Sequence, residues 1–323
     1  MSNKSCTYVN GVVSALSNSL ITKETFLRLI EAKSYKEFLT LLQETPFYNG
    51  SEEASSFDLQ NTLIKQAQLL AEFVKRESPT DEFVNFFLLP YDYMNIANFC
   101  KCQISNQEFE KFVDCEGIYS LTQIKDYILS KKYNNFNNEF IEKSLKDFEF
   151  LIQEQVIDTA EIDTKFKIHM YENLLKVCSK NKILKNILCL QIDVENISVA
   201  MRAKTQFELE HQLIDGGEIA REDLIKIFKK DKSVLAKITN KKLYAFVKLA
   251  FSENKLESFV NFEVNKNNLI VSTLANKLYE INTIEPFILY CYKKQIEIKN
   301  IRLIASYIEN NLNLNIKKRI LGV

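Results

Sequence analysis

An all-α fold is predicted, and three observations predict it. The chain has six glycines and four prolines in 323 residues, where usual shares are roughly 7% and 5%. Apolar residues recur at helical spacing nearly everywhere, and one helix motif occurs three times. A β-sandwich, a Rossmann fold or a phosphate-cradling loop each needs more glycine than this, whereas long helices joined by Asn, Ser and Asp turns need little. Runs of β-alternation bounded by glycine turns are scarce. With 46% apolar and 26% charged residues, the composition is that of a chain able to bury a sizeable core.

The elements follow in order. Val9, Val12, Val13, Leu16 and Leu20 form one stripe, with Ser14, Ser17 and Asn18 opposite. The uncharged stretch from Ser5 to Thr22 therefore reads as an amphipathic helix and not as an export signal. Phe26, Leu29 and Ile30 form the next stripe. Ser34 and Glu37 have capping-box spacing before Phe38, Leu41 and Leu42, and Thr45-Pro46 stops that helix. Asn49 to Asp58 reads as the clearest loop. A long helix runs on to about Arg76, and Ser78-Pro79-Thr80-Asp81 opens another. Asn134 to Asn138, Asp215-Gly216-Gly217 and Asn265 to Asn268 are expected turns. No window reaches about 18 apolar residues without a charge, so any membrane connection is expected to be peripheral.

The repeats carry most of the information. Asp92-Tyr93-Met94-Asn95-Ile96 reappears as Asp193-Val194-Glu195-Asn196-Ile197 and as Glu297-Ile298-Lys299-Asn300-Ile301. Apolar residues follow each acid at +1, +4, +7 and +8, so each copy is expected to bury the same helical face. The acid is expected at a helix N-cap or in a first turn, where it would complement unsatisfied N–H groups. A second element alternates with the first. Ile21 with Phe26/Leu29/Ile30 matches Ile219 with Leu224/Ile227/Phe228, and Ile118 with Ile124/Tyr127/Ile128 matches after a one-residue slip. Val113-Asp114 pairs with Ile214-Asp215 in the loop before it. The last motif lacks its following partner, and the first Ile element lacks a preceding motif, so the first and last segments should pack together. The expected architecture is three similar helical bundles in a funnel-like, pseudo-threefold arrangement, over residues 1–125, 126–228 and 229–323, with the N-terminal helices also completing the third. An open superhelical stack is the competing arrangement.

Three stretches resemble a known family: YVNGVVSALSNSLITKETFLRLIEAKSYKEFLTLL from Tyr8, DVENISVAMRAK from Asp193 with LIDGGEIAREDLIKIF after it, and EPFILYCYKKQIEIKNIRLIASYI from Glu285. They are similar, in order and spacing, to the C subunit of bacterial and archaeal V/A-type rotary ATPases, a family that includes the eukaryotic V-ATPase d subunit. One departure is FCKCQ, standing in the first copy where the second has AMRAK, which reduces a basic pair to Lys101. The resemblance implies a non-catalytic central-stalk subunit, peripheral on the cytoplasmic face of the membrane. It implies a socket that receives the rotor-shaft subunits D and F above the proteolipid ring and transmits torque between them. A generic helical-repeat scaffold is the alternative reading.

Candidate contact residues follow from charge. Asn95, Asn196 and Asn300 either bond local backbone and a neighbouring helix or line a socket. Arg202, Lys204 and Arg302 either sit on solvated helix faces or meet the shaft or ring. From Lys293 onward basic residues exceed acidic ones, and Lys317, Lys318 and Arg319 are candidates for meeting ring loops or anionic lipid, where each charge contributes about 1 kcal/mol.

Catalytic chemistry has little to stand on. There are two histidines, and HExxH, GxSxG and GxxxxGK[ST] do not occur. His169 is read as a partly buried or surface residue. Seven scattered cysteines, with Cys100, Cys102 and Cys115 nearest to a metal pattern, read as reduced, mostly buried thiols, and no metal or cofactor is expected. The 42 Lys and Arg balance 42 Asp and Glu, which argues against a nucleic-acid partner.

Overall fold

A computed structural model describes residues 5–48, 58–154, 158–251, 255–275, 282–312, 316–318 and 320. Helices account for the regular structure among these residues, and none of them lies in a strand. No helix among them is long and apolar enough to cross a membrane. The chain forms two compact units, one from Met1–Leu70 with Lys229–Val323 and one from Ala71–Phe228.

The first unit opens with α1 (Cys6–Ser17), α2 (Lys23–Ile30), α3 (Tyr35–Gln43) and the start of α4 (Leu59–Glu77). Hydroxyl caps start the first three: Ser5 Oγ accepts from Tyr8 N–H, Thr22 Oγ1 from Thr25 N–H and Ser34 Oγ from Glu37 N–H. The expected box at Ser34 is closed one residue early, because Glu37 Oε2 accepts from Lys33 N–H at 2.8 Å. Within the second unit lie α5 (Asp81–Ser105), α6 (Leu121–Leu129), α7 (Glu139–Gln153), α8 (Thr159–Val177), α9 (Lys182–Arg202), α10 (Gln206–Gln212) and α11 (Arg221–Phe228). The first unit resumes with α12 (Lys241–Leu249), α13 (Lys255–Ala275) and α14 (Glu285–Glu309).

Asparagine replaces glycine at several helix ends. Asn106 and Asn137 take left-handed φ values of 52° and 47°, ending α5 and the 3-10 turn Tyr133–Phe136. Their side chains tolerate that region better than most, so the chain ends helices with few glycines. The expected turns at Asn134–Asn138 and Asp215–Gly217 are present, with Gly216 at φ 103°. The expected turn at Asn265–Asn268 is not, because α13 runs through it. Of the loop expected at Asn49–Asp58, residues 49–57 lie outside the described residues.

Each unit is organised around long helices. In the second, α8 packs against α5, α7 and α9, and α9 against α10 and α11. In the first, α14 packs against α1, α2, α3 and α13, so the N- and C-terminal segments meet as expected. Asn10 Nδ2 donates to the Thr283 carbonyl at 2.7 Å across the α1–α14 contact. The +1, +4, +7 and +8 positions after each acid are buried in all three copies, apart from the half-buried Met201. Each fully buried Ile in that stripe contributes about 1.5–3 kcal/mol relative to exposure.

Candidate functional site

The three repeated acids are the best-defined polar feature of the chain, and they do not sit at helix starts. Asp92, Asp193 and Glu297 lie midway along α5, α9 and α14 and are almost fully buried. Reading the helix as starting at the acid is therefore corrected: the upstream residues Phe83, Phe86, Phe87, Leu88 and Leu89 are already helical and buried. The carboxylates accept from N–H groups at the entry to a different, short helix, which comes later in the chain for Asp92 and Asp193 and is the N-terminal α2 for Glu297.

The geometry repeats. Asp92 Oδ2 accepts from Ile118 N–H at 2.9 Å and Oδ1 from Tyr119 N–H at 3.1 Å, the two residues before the N-cap of α6, Ser120. Asp193 Oδ2 accepts from Glu218 N–H at 3.0 Å and Oδ1 from Ile219 N–H at 2.9 Å, just before α11. Glu297 Oε1 accepts from Ile21 N–H at 2.6 Å, the residue before the Thr22 cap of α2. Each long helix is thus stapled to the entry of a short one. Counted from the residue before α2, α6 and α11, the apolar stripe is the same: Phe26/Leu29/Ile30, Ile124/Tyr127/Ile128 and Leu224/Ile227/Phe228 fall at +4, +7 and +8 from Thr22, Ser120 and Ala220. The slip seen at Ile118 is one of loop length.

The asparagines one turn on hold the loop. Asn196 Nδ2 donates to the Ile214 carbonyl at 2.8 Å, and its Oδ1 accepts from Ile214 N–H at 2.9 Å. Asn95 Nδ2 donates to the Cys115 carbonyl at 2.9 Å. Cys115, and not Val113 or Asp114, therefore takes the place of Ile214, which corrects the loop pairing read from sequence. Asn300 is fully buried in α14. Bonding to backbone, and not exposure in a socket wall, is what Asn95 and Asn196 do.

Two glycines make room for the staple. A Cβ on Gly117 would lie 2.3 Å from Asp92 Oδ1 and 2.7 Å from the Leu88 carbonyl. On Gly217 it would lie 2.2 Å from Asp193 Oδ1. The third copy has Ser19 at this position, three residues before the cap, and Glu297 where the others have aspartate. The extra methylene reaches the N–H from farther away, so the loop need not come so close. Gly117→Ala is expected to lower stability by about 1–3 kcal/mol, and Gly217→Ala by less, because backbone crowds the first and a movable side chain the second. Chemical denaturation of both variants measures the difference.

Charge is handled differently among the copies. Burial pushes Asp92 up to about 7 and Asp193 up to about 6 from the ordinary 3.8, against the backbone N–H bonds that lower them. Glu297 has an ammonium: Lys294 Nζ donates to Oε2 at 2.5 Å and lies 5.0 Å from the centre of the Phe47 ring. Since the native state holds the Asp92 and Asp193 protons more tightly than the unfolded chain, their contribution to stability is present in full below pH 3.8 and is lost as pH rises through about 6 and 7. Stability should therefore fall across that window by a few kcal/mol, about 1.4 kcal/mol per tenfold difference in proton affinity. Denaturant midpoints of wild type and an Asp92→Asn/Asp193→Asn double variant across pH test this, the variant giving the shallower slope.

The basic candidates divide between the units. Arg202 and Lys204 are exposed at the end of α9, with Arg202 Nε donating to the Ser198 carbonyl and Lys204 N–H to Glu208 Oε2. Arg302 is half-buried on α14. Lys317 is exposed in the 3-10 turn Ile316–Lys318, which packs on α2, and pairs with Glu31 at 2.8 Å. Lys318 lies in the same turn, and Arg319 lies outside the described residues. Lys294, counted from sequence among the basic residues of this end, turns inward instead. Burial pushes the Cys115 and Cys178 thiols up to about 12, which keeps them protonated. Among the described residues no group of three or more His, Cys, Asp or Glu could hold a metal ion.

Known proteins similar to this chain are rotary ATPase components. The C subunit of the A-type ATP synthase of Desulfurococcus sp. (strain SY) is 24% identical, covering 98% of this chain and 90% of that protein. Its counterpart in the A-type ATP synthase of Thermococcus kodakarensis is 22% identical with the same coverage. The C subunit of the V-type sodium ATPase of Enterococcus hirae is 20% identical, covering 95% of this chain and 94% of its own. The family model described as ATP synthase (C/AC39) subunit matches residues 9–319. With all but the two ends of its length inside that match, the chain belongs to the ATP synthase (C/AC39) subunit family, the C subunits of V/A-type rotary ATPases.

Proposed function

We propose that this chain is a non-catalytic central-stalk subunit, a socket that seats the rotor-shaft subunits D and F on the membrane proteolipid ring and transmits torque between them. Three helical bundles arranged as a funnel, peripheral on the cytoplasmic face of the membrane, make up that socket. The observation that supports it best is the staple used three times. A part that carries torque has to resist shear between its helices, and a buried carboxylate bonded to the next helix's entry resists it without relying on side-chain packing alone.

The shaft has to dock and undock during assembly, so its contacts are polar. Arg202, Lys204 and Arg302 are proposed for shaft or ring contact, and Lys317, Lys318 and Arg319 for ring loops or anionic headgroups. An affinity tag on the chain in mildly solubilised membranes should bring down ring and shaft together. Recovery of the chain alone would end this reading. Replacing Lys317, Lys318 and Arg319 by glutamine should weaken retention on ring-containing membranes most at low salt, since each such charge contributes about 1 kcal/mol. Unchanged retention across a salt series would remove these residues from the interface.

A further inference from the structure

His169 on α8 is buried, and both of its ring nitrogens face carboxylates. Nε2 lies 2.8 Å from Asp147 Oδ2 on α7, and Nδ1 lies 3.0 Å from Glu172 Oε2 one turn along α8. A neutral imidazole has one N–H and one lone pair, so it satisfies one carboxylate and turns a lone pair on the other. Only the ring with a proton on each nitrogen donates to both. The ring side chain is 5% exposed, while Asp147 and Glu172 are 35% and 38% exposed, so solvent reaches the acids at the rim and protons have a route to the ring.

The surrounding charges leave this ring as the variable member. Lys143 of α7 meets Glu172 Oε2 at 3.3 Å. Elsewhere on the α7–α8 face Lys176 pairs with Glu139. On the other faces of α8, Lys101 of α5 pairs with Asp163 at 2.7 Å, Lys167 meets Glu195 of α9 at 3.5 Å, and His211 of α10 meets Glu161 at 2.8 Å. From α5, Tyr93 Oη accepts from Asn173 Nδ2. With the ring doubly protonated, Asp147, His169, Glu172 and Lys143 sum to zero. Loss of one proton leaves a net negative cluster with a lone pair against an acid.

We propose that Asp147, His169 and Glu172 form a proton-gated clamp between α7 and α8, closed while the ring holds both protons and released when it gives one up. The clamp stands on these distances and is independent of the rotor reading. Its consequence is a helix pair whose cohesion follows ambient pH. The released proton goes to solvent by way of the rim carboxylates.

The test uses the full chain. Ring-nitrogen NMR follows the protonation of His169 between about pH 5 and about pH 9, and amide exchange follows protection of α7 over the same range. Protection in α7 should fall about tenfold or more, with its midpoint on the ring's own titration, while α9 keeps its protection. His169→Gln should show low α7 protection with no such step. Asp147→Asn, which keeps the shape of the site, should leave one ring nitrogen without its proton. A ring that is singly protonated throughout, or α7 protection that ignores the ring's titration, would overturn the clamp.

Discussion

Asp92→Ala is expected to destabilise the chain by about 2–5 kcal/mol, because it strands two buried N–H donors, those of Ile118 and Tyr119, at about 1–3 kcal/mol each. Asp193→Ala should cost a similar amount through Glu218 and Ile219. Asp92→Asn should fall between wild type and Asp92→Ala, since its one oxygen accepts a single N–H and its amide nitrogen opposes the other. The pH dependence separates this from simple loss of packing. Wild type loses the Asp92 contribution as pH rises through about 7, and the alanine variant has none to lose. The gap between them should therefore narrow from acid to neutral pH. Denaturant unfolding at several pH values reads it directly, and a gap that widens with pH would contradict the assignment of burial as the dominant cause.

Much of the fold is legible in the sequence because its rules are local. Ser34 with Glu37 announces the start of α3, and the apolar stripes after Ile21, Ile118 and Ile219 are a matter of spacing alone. The pairing of first and last segments is legible from repeat phase: an unmatched element at each end calls for the two ends to meet, and Ile21 N–H on Glu297 is that meeting.

What sequence conceals depends on tertiary contact. Ser78-Pro79-Thr80-Asp81 marks the start of α5, but its continuity to Asp92 is hidden because Phe86 to Leu89 is buried without a break and shows no amphipathic stripe, although the helix continues through Pro90. Asn265 to Asn268 has turn chemistry but lies inside a helix packed on α14. The staple itself joins residues 25 or more apart, and no spacing rule marks a carboxylate as aimed at a loop. A clue does exist: glycine stands three residues before the cap wherever the acid is aspartate, and serine where it is glutamate. Likewise, counting Lys294 with the basic residues of the C-terminal end captures its sign and not its direction.

Glu297→Ala is expected to have the largest effect of these single changes, about 3–5 kcal/mol, because it leaves the Lys294 ammonium, 12% exposed, without its carboxylate as well as Ile21 N–H without an acceptor. Unlike the aspartates, this acid joins segments far apart in sequence, so its loss should release α1 to α3 from α14 first. Amide exchange and limited proteolysis should locate the opening at residues 5–48, with the second unit unaffected. Replacing both partners, Lys294→Met with Glu297→Gln, removes the unpaired charge and should recover part of the loss. Glu297→Asp tests the geometry itself. The shorter acid should fail to reach Ile21 while Ser19 keeps the loop away, and adding Ser19→Gly should restore stability towards wild type, reproducing the aspartate–glycine pairing of the other two copies. If Ser19→Gly gives no recovery on the Glu297→Asp background, glycine at Gly117 and Gly217 answers to some need other than close approach to the acid.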